Sequence, residues 1–504
     1  MKRIYSIAKR TGLFFFATAF AATASAQFLR TSYLQDVPYS LQMNPAQVPS
    51  HGYFSPLLGP LSVTMQSNAF GFQDLQDMFD KGETYYKSND FMDKLKSDNS
   101  LNLNMAWDQI NVGWFAGSNF WNFSTGTRIE MGASMPKSIF TFMNEMNGNT
   151  LDQDMWKNGL NADLAGEKIN MMVYQEVGIG FARKINDKLT VGAKVKALLG
   201  VANMDFEISD MSINTPQGID IEKVRNMDQT FAEANLDWSK YKDGSYKDDN
   251  MLTAIRNEIG AHGKAGIKVG ATGKASMGGL KWKYASDDAG NNTYINGAEM
   301  NGFKISGYGL GLDLGATYEV MENLKVTAAV TDLGFINWSK SESKVVTAEL
   351  DRSYDLDRDE GEGGLYDFAK AVASNEVVNF DMLKMKEDDG DGYSTSLYTT
   401  IALGGQYTTL DDKLVVGALY TGRMAKPESV HELTLSGAYN LSSMLNVAVS
   451  YSMIQSAGKS FGLGLKFGPA YIGTDYMFFG SNTKCMNLLA GLSIPLGKGK
   501  KFAM

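Results

Sequence analysis

The stretch Tyr-Gly-Leu-Gly-Leu-Asp-Leu-Gly-Ala-Thr-Tyr-Glu-Val, residues 308–320, decides the fold. Apolar side chains occupy its even-numbered positions, and glycine or polar side chains occupy the odd-numbered ones. Because side chains alternate across a β-strand, one face of this stretch would meet lipid and the other would meet water. The pattern therefore predicts a strand of a membrane β-barrel.

The same alternation recurs along the chain, with turns between the repeats. We predict fourteen strands, near residues 53–67, 101–116, 120–135, 168–184, 188–204, 302–320, 323–338, 394–409, 413–424, 431–441, 444–455, 459–467, 470–480 and 485–495. The predicted fold class is all-β, a transmembrane antiparallel β-barrel of about fourteen strands; twelve and sixteen remain as alternatives.

The connections between these strands fall into two sets. Six are short, at residues 117–119, 186–187, 322, 411–412, 442–443 and 468–469. Four of the alternating connections are long, at residues 68–100, 136–167, 205–301 and 339–393. Single-chain bacterial barrels place short turns in the periplasm and long loops outside the cell, so we predict four extracellular insertions.

Three features stand out within the insertions. Helical spacing of apolar residues follows Pro136 and recurs between Phe72 and Leu95. Residues 266–270 and 280–284 could form a hairpin that extends the wall above the membrane. Residues 350–392 are rich in Asp, Glu and Gly and are interpreted as a solvated surface.

The N-terminus carries a targeting pattern. Residues 1–26 have a basic start, a short apolar core and an Ala-Ser-Ala end, which predicts a secretory signal peptide and export to the cell outer membrane. Residues 27–52 are apolar without a clear period and are predicted to form a plug inside the barrel. The barrel itself is assigned to residues 53–496, and residues 497–504 to a basic tail.

Composition and motifs argue against several function classes. The net charge of −9 argues against nucleic acid, and Cys485 is the single cysteine. The acidic stretch 387–392 fails as an EF-hand because Tyr398 stands where the bidentate Glu is required. Residues 273–275 only superficially resemble a phosphate loop, and His431 lacks a distinctive nucleophile nearby. We therefore expect no enzyme activity, catalytic residue, metal site or cofactor.

Charged residues within the strands are expected to point into the lumen, since a charge facing lipid near the midplane would cost roughly 2–4 kcal/mol. This set consists of Arg128, Glu130, Glu176, Lys194, Lys196, Asp313, Glu319, Lys325 and Lys466. Because both signs occur together, a mutually neutralising network that fills the interior and anchors the plug is favoured over a lined permeation path.

Two sets of residues support a family resemblance. Asn44-Pro45-Ala46, just before the first predicted strand, resembles the start of FadL-type transporters and of the PorV and PorP type barrels of Bacteroidota. The stretch 174–194 is similar to a large set of Bacteroidota outer-membrane proteins classed as a domain of unknown function, and residues 50–54 and 135–139 resemble it as well. The resemblance implies an outer-membrane barrel and supplies no activity. The C-terminus departs from many barrels, which end on an aromatic residue, whereas here Phe502 is third from the end.

Three functions remain open. The leading hypothesis is inward movement of a small hydrophobic molecule in the manner of FadL, with outer-membrane lipid around the barrel. The alternatives are a docking or shuttle partner for secreted or surface proteins, which the PorV resemblance and the two largest insertions suggest, and a structural outer-membrane protein.

Overall fold

The structure is a computed structural model. It describes residues 30–56, 59–145, 153–226, 253, 256–258, 260, 262–277, 280–286, 290, 292–300, 304–358, 363–373, 384–442, 444–454, 458–476 and 483–498. The predicted signal peptide and most of the basic tail lie outside these residues.

Fourteen antiparallel strands close into a barrel within the described part of the chain. Strands 1 to 7 are His51–Pro56 with Leu61–Ser67, Asp98–Ala116, Asn119–Pro136, Lys168–Lys184, Leu189–Thr215, Gly307–Met321 and Leu324–Trp338. Strands 8 to 14 are Tyr393–Ser396 with Thr400–Thr409, Leu414–Arg423, Val430–Asn440, Leu445–Ile454, Gly458–Phe467, Ala470–Thr474 and Cys485–Leu492 with Ile494–Lys498.

The first and last strands pair with each other, which closes the sheet. Thr64 of strand 1 lies opposite Asn487 of strand 14, and Tyr53 lies opposite Pro495. The prediction of a closed fourteen-stranded antiparallel barrel is confirmed. Closure removes the exposed edges that an open sheet of this size would present.

The six short connections all lie at one end of the barrel, because consecutive antiparallel strands alternate in direction. The start of strand 1 and the end of strand 14 lie at this end too. We call it the short-connection end. The long insertions emerge from the opposite end.

The largest insertions fold together into an outer unit. Strand 5 continues past the expected residue 204 to Thr215, and its outer part pairs with the strand Lys264–Met277. That strand pairs with Ser343–Asp355, which pairs in turn with Lys384–Asp389. The short strand Leu160–Asp163 pairs with the outer end of strand 5.

Helices cover one face of this outer sheet. They are Lys137–Glu145, Gln153–Asn158, Ile221–Arg225 and Leu365–Ala373. Phe368 packs its ring 5.5 Å from that of Trp156 and 5.7 Å from that of Tyr354. These rings belong to a buried apolar cluster that contains only residues of the insertions and of the outer part of strand 5. The outer unit therefore has its own core.

Two expectations about the insertions are wrong. Residues 266–270 and 280–284 do not form a hairpin with each other, because the first stretch pairs with strand 5 and with residues 343–355, and Leu280–Ser286 pairs with Asn292–Met300. Residues 350–392 are more than a solvated surface. They contain strand residues and the helix Leu365–Ala373, whose apolar side is buried in the outer unit.

A second apolar cluster lies at the rim, where strands 14, 1 and 2 reach the outer end. The helices Phe72–Lys81, Glu83–Tyr86 and Asn89–Met92 bring Phe91 to within 5.6 Å of the rings of Phe70 and Phe140. Methionines 65, 78, 92, 135 and 486 belong to or pack against this rim cluster. No helix among the described residues is long and apolar enough to cross a membrane.

Candidate functional site

Residues 30–50, which we call the inner segment, lie inside the barrel. The segment forms the 3-10 helix Arg30–Leu34 and the short helix Ser40–Met43, and the first of these contacts strands 9 to 13. Most of its residues are buried, including Tyr33, Val37 and Tyr39. A fourteen-stranded barrel is too wide for wall side chains alone to fill, so the inner segment supplies much of the interior.

Asn44, Pro45 and Ala46 form a turn against strands 5 and 6. The Asn44 side chain accepts a hydrogen bond from the Ala46 N–H at 2.8 Å and donates one to the carbonyl of Ala316 at 3.2 Å. The turn lies against Gly192 and Gly315, which pair directly across the two strands. A Cβ at position 192 would lie 2.4 Å from the Pro45 carbonyl carbon, so the close approach requires glycine.

The other end of the inner segment is held by buried charges. The Arg30 guanidinium contacts Glu432 and lies 3.3 Å from Asp475, and it donates a hydrogen bond to the Tyr476 hydroxyl at 2.5 Å. Asp475 also accepts hydrogen bonds from the backbone N–H groups of Arg30 and Thr31, at 2.9 and 2.7 Å. Pairing and hydrogen bonding offset the desolvation of these groups.

Between its two ends the inner segment lies on small neutral residues of the wall. Tyr33, Leu34, Val37, Tyr39 and Met43 pack in one cluster with wall residues that are mainly alanine. The wall residues of that cluster are Ala329, Ala402, Leu419, Ala438, Ala448, Tyr471 and Leu489. This strip is complementary in shape to the apolar side chains of the inner segment.

The opposite part of the interior carries an inner charge network. Glu176 of strand 4 lies 2.7 Å from the Lys194 ammonium and 3.4 Å from the Arg128 guanidinium. Arg128 also pairs with Asp108 at 2.8 Å. The Lys196 ammonium lies 2.7 Å from Asp313. The network thus joins strands 2 to 6 through side chains of the wall.

Two further contacts extend the inner charge network. Lys196 lies 2.6 Å from Asp332 of strand 7, and Arg423 of strand 9 pairs with Glu130 of strand 3 at 2.9 Å. A cavity of about 50 Å³ lies between this network and the inner segment, and Arg30 and Gln42 contribute to its lining. Each of these charges has an oppositely charged partner, so the geometry is that of a closed, self-neutralising interior.

The remaining predicted lumen residues lie apart from this network. Glu319 and Lys325 pair with each other at 3.3 Å near the short-connection end, where both are partly exposed. Lys466 donates a hydrogen bond to the carbonyl of Asp36 and so contacts the inner segment directly. The structure brings together Arg128, Glu130, Glu176, Lys194, Lys196 and Asp313, but not these three.

The sequence-based prediction did not include several residues of the site. Alternation along strands 9 and 10 would have placed Arg423 and Glu432 on the inward face. Asp332 breaks the alternation of strand 7, because it adopts a φ of 59° at an irregularity where the pairing register shifts. Arg30 lies outside any alternating run, so the periodic pattern does not identify it. Asp475 falls within the predicted strand 470–480, but the observed strand ends at Thr474, one residue before it.

The acidic stretch 387–392 and the stretch 273–275 take part in contacts within the outer unit. In the acidic stretch, Asp389 and Asp391 pair with Lys344 and Lys340. Lys274 lies in an outer strand opposite Val345. Within the described ranges, no group of three or more His, Cys, Asp or Glu side chains is placed to hold a metal ion.

The outer face of the barrel is apolar. In the part of the chain that the structure describes, the large exposed apolar side chains lie in barrel strands or in connections at the short-connection end, with Met424 as the exception. Tyr308, Leu310 and Leu314 of strand 6 are examples. An apolar belt around a closed sheet with a polar interior defines a transmembrane β-barrel.

The chain belongs to the family of unknown function DUF5723, whose profile matches residues 45–475. This confirms the sequence-based resemblance to a family without an assigned activity. A search of curated protein sequences finds no match to this chain.

Solved structures similar to this chain include transport channels. The toluene transporter TodX of Pseudomonas putida is 11% identical, with a TM-score of 0.39 over 92% of this chain and 94% of that one. A FadL homologue of Pseudomonas aeruginosa is 10% identical, with a TM-score of 0.39 over 94% and 97%. The monoaromatic hydrocarbon channel CymD is 8% identical, with a TM-score of 0.37 over 92% and 94%.

Proposed function

We propose that this protein is a non-enzymatic outer-membrane β-barrel that admits a small hydrophobic molecule when the inner segment moves. The observation that carries the proposal is that residues 30–47, rather than wall side chains alone, fill one side of the lumen. The contacts that hold this segment are non-covalent, so its displacement would leave a passage inside a barrel that remains closed.

The chemistry of the wall favours an apolar cargo. The strip beneath the inner segment consists of alanine and three larger neutral residues, whereas the charges of the inner network are paired with each other. A hydrophobic molecule on the strip would leave every pair of the inner charge network intact. The rim cluster, rich in Met and Phe, offers an adaptable first contact at the outer end.

A reversible lock tests this function. A Cβ at Gly464 would lie 3.3 Å from Gln35 Cδ, and its three nearest atoms all belong to the Gln35 side chain, so Gln35→Cys with Gly464→Cys in a Cys485→Ser background is placed to link the inner segment to strand 12. Uptake of radiolabelled laurate and toluene by cells is measured before and after dithiothreitol. We expect the oxidised lock to abolish uptake and reduction to restore it, while each single-cysteine variant takes up both compounds. Equal uptake by cells with and without the gene would contradict the proposal.

Docking of a secreted or surface protein is the second candidate, and the outer unit favours it. This unit has a core of its own, which a gate for a small molecule does not need. Gentle purification from the outer membrane followed by mass spectrometry separates the two functions. A stoichiometric protein partner without an enriched ligand supports docking, and an enriched apolar ligand without a partner supports uptake.

A further inference from the structure

The interior of the barrel differs between its two sides. Strands 2 to 6 are joined by charges of the wall itself, since Glu176 binds Arg128 and Lys194, and Lys196 binds Asp313. The inner segment contributes no charge to these pairs; Gln42 donates one hydrogen bond, at 2.8 Å, to Asp108, which is itself paired with Arg128. The charges on this side of the barrel therefore have their oppositely charged partners as soon as its own strands have paired.

Strands 9 to 14 depend on the inner segment. Glu432 of strand 10 and Asp475, which follows strand 13, are both fully buried, and both contact Arg30. Without Arg30 these two carboxylates would share a buried site without the cation between them. Like charges in a desolvated interior repel each other, so strands 10 and 13 would not reach their native spacing.

The same contacts extend to the pairing of strands 14 and 1. Asp475 accepts the Thr31 N–H at 2.7 Å and the Thr31 hydroxyl at 2.6 Å, and it also accepts a hydrogen bond from the Asn487 amide at 3.0 Å. Asn487 lies on strand 14 directly opposite Thr64 of strand 1. The residues that hold the start of the inner segment are thus bonded to the strand that closes the barrel.

The wall on this side is also shaped around the inner segment. Added Cβ atoms at Gly462 and Gly464 would lie 2.2 Å from Thr31 Oγ1 and 3.0 Å from Gln35 Oε1. Gln35 in turn donates a hydrogen bond to Asn446 of strand 11 at 2.7 Å. Small wall residues cannot fill the lumen themselves, so the curvature of strands 11 and 12 is supported by the segment.

We propose that the inner segment is an intramolecular template on which strands 9 to 14 assemble, and that, as the barrel forms, strands 14 and 1 pair only after Arg30 and Thr31 have reached their sites. This role goes beyond uptake, because it concerns formation of the barrel and holds whether or not the segment later moves.

The test uses two cysteine pairs on the outside of the barrel, both in a Cys485→Ser full-length chain. Val63→Cys with Leu488→Cys reports pairing of strands 1 and 14, because these positions lie opposite each other and Leu488 is exposed on the outer face. Met131→Cys with Met171→Cys reports pairing of strands 3 and 4 in the same way. Cross-linking is scored with a short bis-maleimide as the chain folds from urea into detergent micelles.

Arg30→Met is then introduced into both reporters. We expect the yield for strands 1 and 14 to fall roughly tenfold, with the yield for strands 3 and 4 unchanged. The matched control is Glu130→Gln, which removes a buried ion-pair partner of Arg423 that does not contact the inner segment, and we expect it to leave the yield for strands 1 and 14 unchanged. The proposal is overturned if Arg30→Met leaves both yields at the wild-type level, or if it abolishes both, since general misfolding would then explain the loss.

Discussion

Gly192 and Gly315 lie directly opposite each other on strands 5 and 6, and the turn of Asn44 and Pro45 packs against the pair. Two adjacent residues without side chains make a shallow depression in the inner wall. An internal peptide turn contacts the wall backbone there, at a place where any other residue type would push it away.

The glycine pair predicts how firmly the inner segment is held. In Gly192→Ala the added methyl would lie 2.4 Å from the backbone of Pro45, and we expect it to weaken docking of the segment by about 1–3 kcal/mol. The measurement is the rate at which maleimide labels Val37→Cys in a Cys485→Ser chain. Gly437→Ala is the control, because no atom lies within 4 Å of a Cβ there. Equal labelling rates in the two alanine variants would show that the turn is not held by this contact.

The inner charge network predicts a large effect of removing one cation. Lys196→Met leaves Asp313 and Asp332 without the ammonium that lies 2.7 and 2.6 Å from them. We expect a loss of about 3–5 kcal/mol, because a buried charge without its partner is strongly unfavourable. The temperature at which the folded form disappears on a denaturing gel reports this loss.

Lys325→Met provides the matched control for that variant. Its pair with Glu319 is partly exposed at both ends, so we expect a change below about 1 kcal/mol. A similar shift in both variants would mean that burial does not govern the energetics of the network.

The apolar belt predicts which tryptophans meet lipid. Trp114 is 42% exposed on strand 2, whereas Trp338 is 2% exposed and packs inside against Gly200. In liposomes of brominated lipid, a chain that retains Trp114 alone should lose most of its fluorescence, because bromine quenches by contact. A chain that retains Trp338 alone should keep it, and quenching of both to the same extent would contradict the assignment of faces.

Glu167, just before strand 4, predicts a pH dependence of the outer unit. Both of its carboxylate oxygens are buried without a hydrogen-bond partner among the described residues, and burial raises its pKa to about 7. The folded state therefore binds this proton more tightly than the unfolded state does. The stability of the outer unit should be greatest below about pH 4.5 and should fall as pH rises to 7.

Glu167→Gln should remove that dependence. At pH 8 we expect the variant to stabilise the outer unit by on the order of 2 kcal/mol, and at pH 4 we expect no difference from the native chain. Hydrogen exchange of the strand Lys264–Met277 at the two pH values gives the measurement. A gain at pH 4 equal to that at pH 8 would assign the effect to something other than ionisation.

The barrel could be predicted because the pattern that defines each strand lies within that strand's own sequence. Lipid on one face and water on the other force an alternation that each strand carries by itself, as residues 308–320 show. The inner charge network was predictable wherever a strand is regular, which is why Glu176 and Lys196 were found. It was not predictable at Asp332, where an irregularity changes the face on which the next side chain lies.

The contacts of the inner segment and the outer unit could not be predicted in this way, because they depend on partners distant in the chain. Nothing near Arg30 indicates that it meets Glu432 and Asp475, more than four hundred positions away. Likewise, the residues of the helix Leu365–Ala373 are buried only because strand 5 extends beyond the barrel. Contacts of this kind form only when distant parts of the chain have folded together, so the local sequence does not indicate them.

The separate core of the outer unit has an evolutionary consequence. Substitutions among its buried residues leave the barrel core untouched, so the outer unit can vary in sequence while the wall keeps the residues that its closure requires. Related chains should therefore differ most between strands 5 and 6 and between strands 7 and 8, and recombination that exchanges those stretches should yield barrels that still assemble.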